Sequence, residues 1–312
     1  MKIGFVTPNF PFEKRVAILP QQVLESPNDI IIERGFGTTM DISDEEYEAA
    51  GATLMSRNEI FSKCDIIFSL KLIQPCDYDK IREGQIIAGW THPTGSGREF
   101  MKNIAEPKGL VMIDLDNIYP SVYYNGKAYK IPFIRPNFIR DNSVYAGRAA
   151  VTHALMSYGL YPNANTRVAI LSSGNVAQGA FEMIAKWGAD IRMFYRKTMS
   201  EFYESIDDYD IIINGIEVDE PNQHILTTSH LMQVKPGCLI IDAAADAGGA
   251  IEGSYYVTQN EPLYKLGNAI IYCVNNAPSL FYRTVSKSIS EDFAKVFYNK
   301  DIDPFLDLIE QC

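Results

Sequence analysis

The chain has 312 residues and an ordinary globular composition, which is enough for two medium-sized domains with their own cores. Its net charge of −11 argues against a nucleic acid or an anionic membrane as partner, because neither attracts a broadly acidic surface. No long apolar run is present, and residues 1–8 fit a first strand better than a signal peptide. We therefore expect a cytoplasmic protein.

The cysteines and histidines show no metal-binding pattern. The cysteines are odd in number and form no C-x-x-C pair, so we interpret them as reduced thiols, and the histidines lack the H-E-x-x-H spacing of zinc enzymes. No metal is predicted, so protein cations would have to polarise a carbonyl substrate. The cysteines are Cys64, Cys76, Cys238, Cys273 and Cys312, and the histidines are His92, His153, His224 and His230.

The first half of the chain alternates short β-branched runs with helical segments, which predicts a parallel sheet. Ser43 and Glu46 form a capping box that predicts the start of a helix. The predicted strands span residues 2–6, 30–33, 65–70, 85–90 and 110–113.

Three polar residues of this half stand in the first loop or at predicted strand ends: Arg15, Lys71 and His92. Neighbouring parallel strands bring their carboxyl ends to one edge, so an ammonium would lie near an imidazole. Such a set suits reduction of a C=O or C=N group, because cations bind a carboxylate and an imidazole moves protons near neutral pH. The alternatives are that Arg15 is an ordinary surface arginine and that His92 belongs to a structural turn.

The second half repeats the alternation, with predicted strands at residues 167–171, 190–195, 210–214, 238–242 and 269–274. Long helices are predicted at 146–160 and 279–299, and the second follows the last strand. We therefore predict an α/β protein of two domains with a cleft between them. An N-terminal α/β substrate domain, 1–140 plus 285–312, is completed by the C-terminal segment, and 141–284 form a Rossmann-type, doubly wound parallel sheet that binds NADP(H).

The segment from Arg167 to Thr198 predicts dinucleotide binding. A strand, a turn of small residues and an apolar helix follow one another, which is the layout of a βαβ phosphate site, where the amides at the helix start bind an anion. The fingerprint G-x-G-x-x-G/A is incomplete, since Ser172 replaces the first glycine, Gly174 is the second and Ala177 takes the third place. The predicted phosphate contacts are Ser173, Gly174, Asn175 and Val176.

The end of the second strand of this unit selects the cofactor. NAD-selective sites usually place Asp or Glu there to bind the ribose 2′-hydroxyl, whereas this chain has Arg196, Lys197 and Thr198. A guanidinium binds a 2′-phosphate in bidentate fashion, so NADP(H) is predicted instead of NAD(H). The alternative is that these cations are solvated surface.

A loop of small residues follows the predicted strand 238–242. Asp246 lies in this loop at the predicted active edge, while Asp242 could cap or brace it. Alanine and glycine let the backbone approach a flat ring such as nicotinamide, and Asn276 follows the next strand, so it should border the cofactor too. A plain solvated loop is the alternative.

Taken in order, these motifs resemble the alanine dehydrogenase / pyridine nucleotide transhydrogenase superfamily over the length of the chain. The segments that carry the resemblance are MKIGFV at 1–6, KRVA at 14–17, FSLKLIQP at 68–75, GWTHP at 89–93, SGNVAQGAF at 173–181, YRKTMS at 195–200, DIIINGIE at 210–217, DAAADAG at 242–248, and PSL at 278–280 followed by Tyr282 and Arg283. Ser172 departs from the expected glycine.

The resemblance is closest to opine-type members of that superfamily. It implies NADPH-dependent reductive condensation of pyruvate with the side-chain amine of L-ornithine, or of L-lysine, by a homo-oligomer such as a dimer or tetramer. Arg15 and Lys71 match its oxo-acid-binding positions, and His92, Lys71 and Asp246 match catalytic ones. Candidate partners for the second amino acid are Arg135, Arg140 and Asp116.

Two other functions are consistent with the same residues. An alanine dehydrogenase-like or saccharopine-like amino-acid dehydrogenase would share this set and differ in the pocket for a second amino acid. A non-catalytic NADPH-binding protein would not need a lysine and a histidine facing the nicotinamide.

Overall fold

The computed structural model describes residues 1–218 and 223–310. Two compact units divide these residues: Met1–Ile139 with the segment that begins at Tyr282, and Arg140–Phe281. Each unit is built around its own β-sheet. Within the described residues, no helix is both long enough and apolar enough to cross a membrane.

The first unit contains an eight-stranded sheet with the strand order β3-β2-β1-β4-β5-β6-β7-β8. Its six leading strands are parallel, and the last two extend it as an antiparallel hairpin. The strands on the two sides of β1 follow one another in opposite directions across the sheet, which makes this position a topological switch point. Open α/β sheets bind ligands at such a point, beyond the carboxyl ends of the strands. The strands are β1 (Lys2–Val6), β2 (Asp29–Glu33), β3 (Thr53–Met55), β4 (Ile66–Ser69), β5 (Ile86–Gly89), β6 (Val111–Asp114), β7 (Ser121–Tyr124) and β8 (Lys127–Lys130).

Short helices connect these strands, and sequence signals fix where two of them begin. The hydroxyls of Ser43 and Ser56 each accept a hydrogen bond from the backbone N–H of the glutamate three residues later, and each glutamate carboxylate accepts one from the serine backbone N–H. The helices are α1 (Pro20–Glu25), α2 (Asp44–Ala49), α3 (Arg57–Lys63), α4 (Arg98–Phe100), α9 (Tyr282–Phe293) and α10 (Asp303–Glu310), with π-helical turns at Met101–Ala105 and Ala294–Tyr298 and 3-10 turns at Thr38–Met40 and Pro75–Lys80.

Both faces of this sheet are covered. Strand β4 is buried along its whole length, as expected for a central parallel strand. On one side, Phe68 packs its ring against Phe293 and Tyr298 of the C-terminal segment at 5.1 and 5.2 Å. The C-terminal segment therefore completes the core of the first unit.

The second unit contains a six-stranded sheet with the order β10-β9-β11-β12-β14-β13, parallel except for the edge strand β13. Its strands are β9 (Arg167–Leu171), β10 (Asp190–Phe194), β11 (Ile211–Asn214), β12 (Leu239–Asp242), β13 (Leu263–Leu266) and β14 (Ala269–Tyr272). The helices are α5 (Arg140–Tyr158), α6 (Asn175–Ile184), α7 (Met199–Glu204) and α8 (Thr228–Gln233), with 3-10 turns at Ala185–Trp187, Ile206–Asp208 and Ala277–Phe281.

Two apolar clusters sandwich this sheet, with α5 and α6 on one face and α7 and α8 on the other. Helices α5 and α6 approach closely through a pair of glycines. A Cβ atom on Gly147 would lie 1.9 Å from the Val176 carbonyl oxygen, and one on Gly179 would lie 1.9 Å from that of Val144. Only glycine fits at either position, so this pair fixes α6, which follows the predicted phosphate turn.

The mixed α/β class and the doubly wound second sheet agree with the sequence prediction, but neither sheet is wholly parallel. Strands β3, β7, β8 and β13 were not predicted, because they are short and their sequences lack a long β-branched run; β3, β8 and β13 are also edge strands. The predicted helix 279–299 is in fact a 3-10 turn, then α9, then a π-helical turn. Cys64, Cys76, Cys238 and Cys273 are free thiols, and Cys312 lies outside the described residues.

Candidate active site

The predicted polar residues of the first unit lie beyond the carboxyl ends of adjacent strands. Arg15 is in the loop after β1, Lys71 follows β4, His92 follows β5 and Asp116 follows β6. Strands β4 and β5 come together tightly at this end. Gly89 has φ +130, and a Cβ there would lie 1.9 Å from the Ser69 carbonyl oxygen, so glycine is required for the two loops to leave the sheet side by side.

Arg15 is buried and paired with a carboxylate that was not predicted. Its Nε and Nη2 donate to the two Glu13 carboxylate oxygens at 2.9 and 2.6 Å, and its backbone N–H donates to Oε1 at 2.8 Å. Burial raises the pKa of Glu13, but the Arg15 charge and its hydrogen bonds outweigh burial and bring the pKa to about 2. Glu13 is therefore ionised at neutral pH and fixes the guanidinium plane.

Lys71 lies near Arg15 on a shared aromatic surface. The Lys71 Nζ is 5.7 Å from the centre of the Trp90 ring, the Arg15 guanidinium carbon is 4.9 Å from it, and Phe10 lies 5.2 Å from Nζ. Burial and then the Arg15 charge lower the pKa of Lys71 to about 8, against the opposing effect of Glu13 and Asp116. Lys71 is thus mostly protonated at neutral pH and loses its proton at mildly alkaline pH.

His92 forms a dyad with Asp116. The His92 Nδ1 lies 2.6 Å from Asp116 Oδ2, and the backbone of His92 has φ +45, an uncommon conformation for a non-glycine residue. Burial lowers the pKa of His92, but the Asp116 charge and hydrogen bond outweigh this, so the pKa lies above its usual value. Because Asp116 holds Nδ1, the other ring nitrogen is the one left to exchange protons with a reactant.

A second aspartate braces the loop that carries His92. Asp114 is fully buried at the end of β6, and its Oδ1 accepts hydrogen bonds from the Thr91 backbone N–H and hydroxyl at 3.1 and 3.0 Å. Burial and the nearby Asp116 raise the pKa of Asp114. The register of β5 and β6 thus places Asp114, Asp116 and His92 in one cluster.

In the second unit, the predicted phosphate turn has an unusual backbone. Ser172 has φ +117, in the region that favours glycine, and its Oγ accepts a hydrogen bond from the Gly174 N–H at 3.0 Å. Helix α6 begins at Asn175 with no side-chain cap on its first turn, and Ser173 and Gly174 are exposed. Amides at such an uncapped helix start suit an anionic group, which fits the pyrophosphate of a dinucleotide.

The predicted 2′-phosphate residues form a turn directly after β10. The Thr198 hydroxyl accepts a hydrogen bond from the Tyr195 N–H at 2.9 Å, so Thr198 also serves the turn itself. Arg196 and Lys197 are exposed, and the structure gives neither of them an ion-pair partner among its described residues. An anion could therefore bind both cations without displacing a carboxylate.

Asp246 has a structural role in addition to the predicted catalytic one. Its Oδ2 accepts hydrogen bonds from the Val218 and Ala250 backbone N–H groups, both at 2.9 Å, and Gly249 leaves room for this carboxylate. Asp242 is buried beneath the loop, where it accepts hydrogen bonds from Asn214 at 2.9 Å and from the Asp246 N–H at 3.1 Å. Burial raises the pKa of Asp242 to about 6. Its hydrogen bond from the Asp246 N–H braces the loop, which agrees with the sequence interpretation that Asp242 caps or braces it.

The remaining predicted residues are placed as follows. Asn276 is buried after β14 with φ +67, Arg135 is exposed, and Arg140 is exposed and contacts Asp141 at 3.2 Å. Asp116, a candidate partner for the second amino acid, instead holds His92. Within residues 1–218 and 223–310, no group of three or more histidine, cysteine, aspartate or glutamate residues could hold a metal ion.

Sequence reasoning missed Glu13 and the pairing of Asp116 with His92. Glu13 lies two residues before Arg15, but carboxylates near arginines are common in loops, so only its burial distinguishes it. Asp116 lies just beyond β6 in the same way that His92 lies beyond β5. The rule that neighbouring strand ends meet at one edge could have suggested this pair.

Comparisons with known proteins agree with this architecture. Residues 8–122 match the family Alanine dehydrogenase/PNT, N-terminal domain, and residues 164–302 match Alanine dehydrogenase/PNT, C-terminal domain. The N(5)-(carboxyethyl)ornithine synthase of Clostridium botulinum (strain Hall) is 53% identical over 100% of this chain and 98% of its own length, and that of Lactococcus lactis subsp. lactis is 48% identical over 99% of both chains. A solved L-alanine dehydrogenase superposes with a TM-score of 0.80 at 20% identity, covering 100% of this chain and 92% of its own.

Proposed function

The chain belongs to the Alanine dehydrogenase/PNT family of oxidoreductases, and we propose that it catalyses the NADPH-dependent reductive condensation of pyruvate with the side-chain amine of L-ornithine. L-Lysine is the alternative amine. The observation that carries the proposal is full-length identity of 53% and 48% to two relatives named N(5)-(carboxyethyl)ornithine synthase. The polar cluster of the first unit supplies groups suited to binding the oxo acid and to moving protons.

The two cations on Trp90 bind the oxo acid. The pyruvate carboxylate pairs with Arg15, whose guanidinium is held by Glu13, and Lys71 polarises the ketone oxygen. Both side chains lie in a desolvated environment, where a charge on the substrate interacts more strongly than in water. Lys71 must be protonated for this role, so binding of the oxo acid should weaken as the pH rises above about 8.

His92 moves the protons of the condensation. The attacking amine must be neutral, although its pKa in solution is about 10.4 as for lysine, so a base has to remove a proton. The free ring nitrogen of His92 accepts that proton and returns it to the carbinolamine hydroxyl as water leaves. Asp116 fixes the tautomer and stabilises the imidazolium between these two transfers.

The second unit would hold the nicotinamide cofactor, which would supply a hydride for reduction of the imine. The turn at Ser173 to Val176 would bind the pyrophosphate at the start of α6, and Arg196 with Lys197 would bind the 2′-phosphate of NADP(H). Support for this choice is the exposure of the two cations and the lack of a described carboxylate partner for them. Asn276 and the loop of Asp246 would border the nicotinamide, and the proposed role of Asp246 is to supply a negative charge that balances the iminium.

The rival function is that of an amino-acid dehydrogenase that uses ammonia. Alanine dehydrogenases are more distant relatives, with 25% identity for that of Mycolicibacterium smegmatis over 91% of this chain and 83% of its own. Such an enzyme needs the same groups around pyruvate, so the amine alone separates the two functions. The 48–53% relatives favour the condensation.

A panel of amines and oxo acids monitored by NADPH absorbance tests the proposal. We expect oxidation of NADPH with pyruvate and ornithine, and a rate with ammonia at least tenfold lower. A higher rate with ammonia would assign the chain to the amino-acid dehydrogenases. Binding of NADPH without oxidation by any pair would show a non-catalytic protein.

A further inference from the structure

The most deeply buried ion pair near the candidate active site lies inside the first loop, between two residues that are two positions apart. The side chains of Arg15 and Glu13 are 1% and 0% exposed, and Arg15 donates to both oxygens of the Glu13 carboxylate. Both ions have been taken out of water, so the pair has a desolvation cost that only good geometry offsets. A buried pair of this kind often adds little to the stability of the fold, so its presence near the site points to another role.

The Glu13 carboxylate accepts a hydrogen bond from the Arg15 backbone N–H at 2.8 Å, but the loop does not depend on this pair alone for its path. The backbone on either side is held by other groups, since the Lys14 carbonyl oxygen accepts a hydrogen bond from the Thr39 hydroxyl at 2.8 Å and the Val16 N–H donates to Ser286 Oγ at 2.9 Å. What the pair adds is the orientation of the guanidinium. A bidentate carboxylate leaves the plane of Arg15 little rotational freedom.

The pair also balances charge beside Lys71. The titratable and charged groups that act on Lys71 are Arg15, Glu13, Asp116 and His92. Arg15 and Lys71 lie over the same indole ring, so without a counter-charge they would repel each other in a poorly solvated site. Glu13 supplies that charge next to Arg15, and Asp116 supplies one next to His92.

We propose that Glu13 is a positioning residue of the oxo-acid site, which orients the Arg15 guanidinium and supplies the negative charge that keeps Lys71 protonated beside it. The oxo acid then binds to two charged donors, Arg15 and Lys71. When no oxo acid is bound, the charge of Glu13 keeps the cluster from becoming strongly positive. This inference rests on the proposed function for the identity of the ligand. The electrostatic link between Glu13 and Lys71 can be measured without it.

The direction of the effect follows from the charges. Burial and Arg15 lower the pKa of Lys71 to about 8, and Glu13 acts in the opposite sense. Replacing Glu13 with glutamine removes a negative charge near Lys71. The pKa of Lys71 should therefore fall further, by about one unit for the loss of one nearby charge. At pH 8 the protonated fraction of Lys71 would fall about fivefold, and KM for pyruvate would rise by about the same factor.

The test is a pH titration of the Lys71 side chain by NMR in protein with 13C-labelled lysine, with the signal assigned from Lys71→Arg. Glu13→Gln should lower its pKa by about one unit. Glu13→Asp keeps the charge but is one methylene shorter, so the pKa of Lys71 should stay near that of the unmodified protein while KM for pyruvate rises. If Glu13→Gln fails to fold, this second variant still tests orientation apart from charge.

A matched control is a second buried ion pair of the same unit. Asp77 is fully buried and accepts a hydrogen bond from Arg57 Nη2 at 2.7 Å. Asp77→Asn should lower the melting temperature, as Glu13→Gln does, but leave the pKa of Lys71 and KM for pyruvate unchanged.

The proposal is overturned if Glu13→Gln leaves the pKa of Lys71 where it was, or if Asp77→Asn moves it equally. Failure of the proposed function would look different. In that case the Lys71 signal would move as predicted in Glu13→Gln while the unmodified protein neither binds nor reduces pyruvate.

Discussion

At the scale of single residues, Ser172 combines two features that oppose each other. Its φ of +117 costs about 1–3 kcal/mol for a residue with a side chain, while its hydroxyl accepts the Gly174 N–H. That N–H belongs to the turn that we propose as the pyrophosphate site. The serine therefore strains the turn and occupies one of the amides that a phosphate could use.

Ser172→Gly should raise both stability and cofactor affinity. Glycine adopts φ +117 without strain, which outweighs the loss of a partly exposed hydrogen bond worth about 1 kcal/mol, and it frees the Gly174 amide. Calorimetric melting and an NADPH titration measure the two effects. Ser172→Ala is the control, because it keeps the strain and loses the bond, so it should lower the melting temperature. Equal behaviour of the two variants would contradict this explanation.

Cofactor preference is also decided by single residues. Arg196→Asp places a carboxylate where we propose that the 2′-phosphate binds, so it should reduce the preference for NADPH over NADH by at least a hundredfold. The ratio of kcat/KM for the two cofactors measures it. Lys186→Asp makes the same charge change at an exposed position of the second unit, before the start of β10, and should leave the ratio unchanged. An unaltered ratio in Arg196→Asp would remove the basis for NADP(H) selectivity.

The site residues that could be predicted from the sequence were those that directly follow strands with continuous apolar runs. Lys71 and His92 follow runs that are buried along their whole length, and strand ends meet at one edge in a parallel sheet. The pairs Glu13 with Arg15 and His92 with Asp116 depend on how loops fold back. Loop conformation has no periodic signal, so these partners become visible only in three dimensions.

At the scale of secondary-structure elements, the contact between α5 and α6 determines where the proposed phosphate turn lies. The backbones meet through Gly147 and Gly179, and any side chain at either position would overlap a carbonyl oxygen of the other helix. A backbone atom cannot move aside as a flexible side chain can. The start of α6, which follows the turn, is thus fixed by packing about one helical turn further along the helix.

Gly179→Ala should destabilise the second unit by about 2–3 kcal/mol and weaken NADPH binding. The added methyl group would lie 1.9 Å from the Val144 carbonyl oxygen, which forces the helices apart. Denaturant unfolding and an NADPH titration measure the two losses. Ser157→Ala, at an exposed position of α5, should change neither by much. If Gly179→Ala unfolds like the unmodified protein, the close contact does not govern α6.

Elements were predicted well where apolar runs were long, whereas the edge strands β3, β8 and β13 were missed. The central strands β1, β4, β9, β11 and β12 have continuous buried runs, which only a parallel core explains. Neither β8 nor β13 has a fully buried residue, so burial leaves no pattern in their sequences. They exist because a hairpin or a neighbouring strand offers backbone partners, which tertiary context decides.

At the scale of the whole molecule, each unit supplies a different part of the proposed chemistry. The first offers two cations and a histidine–aspartate dyad for the oxo acid and the protons. The second offers an uncapped helix start and a cationic turn for a dinucleotide. Neither set would be of use alone in a reductive condensation. The N-terminal family match, residues 8–122, lies in the first unit, and the C-terminal match, residues 164–302, covers most of the second unit and extends into the C-terminal segment of the first.

The most direct test of the proposed reaction is to identify the product by mass spectrometry. The protein would be incubated with pyruvate, NADPH, ornithine labelled with 15N at its side-chain amine, and an equal amount of unlabelled ammonium. We predict a carboxyethyl derivative of ornithine that retains the 15N label, with one NADPH oxidised per product. Unlabelled alanine as the product, with ornithine left unchanged, would contradict the proposal.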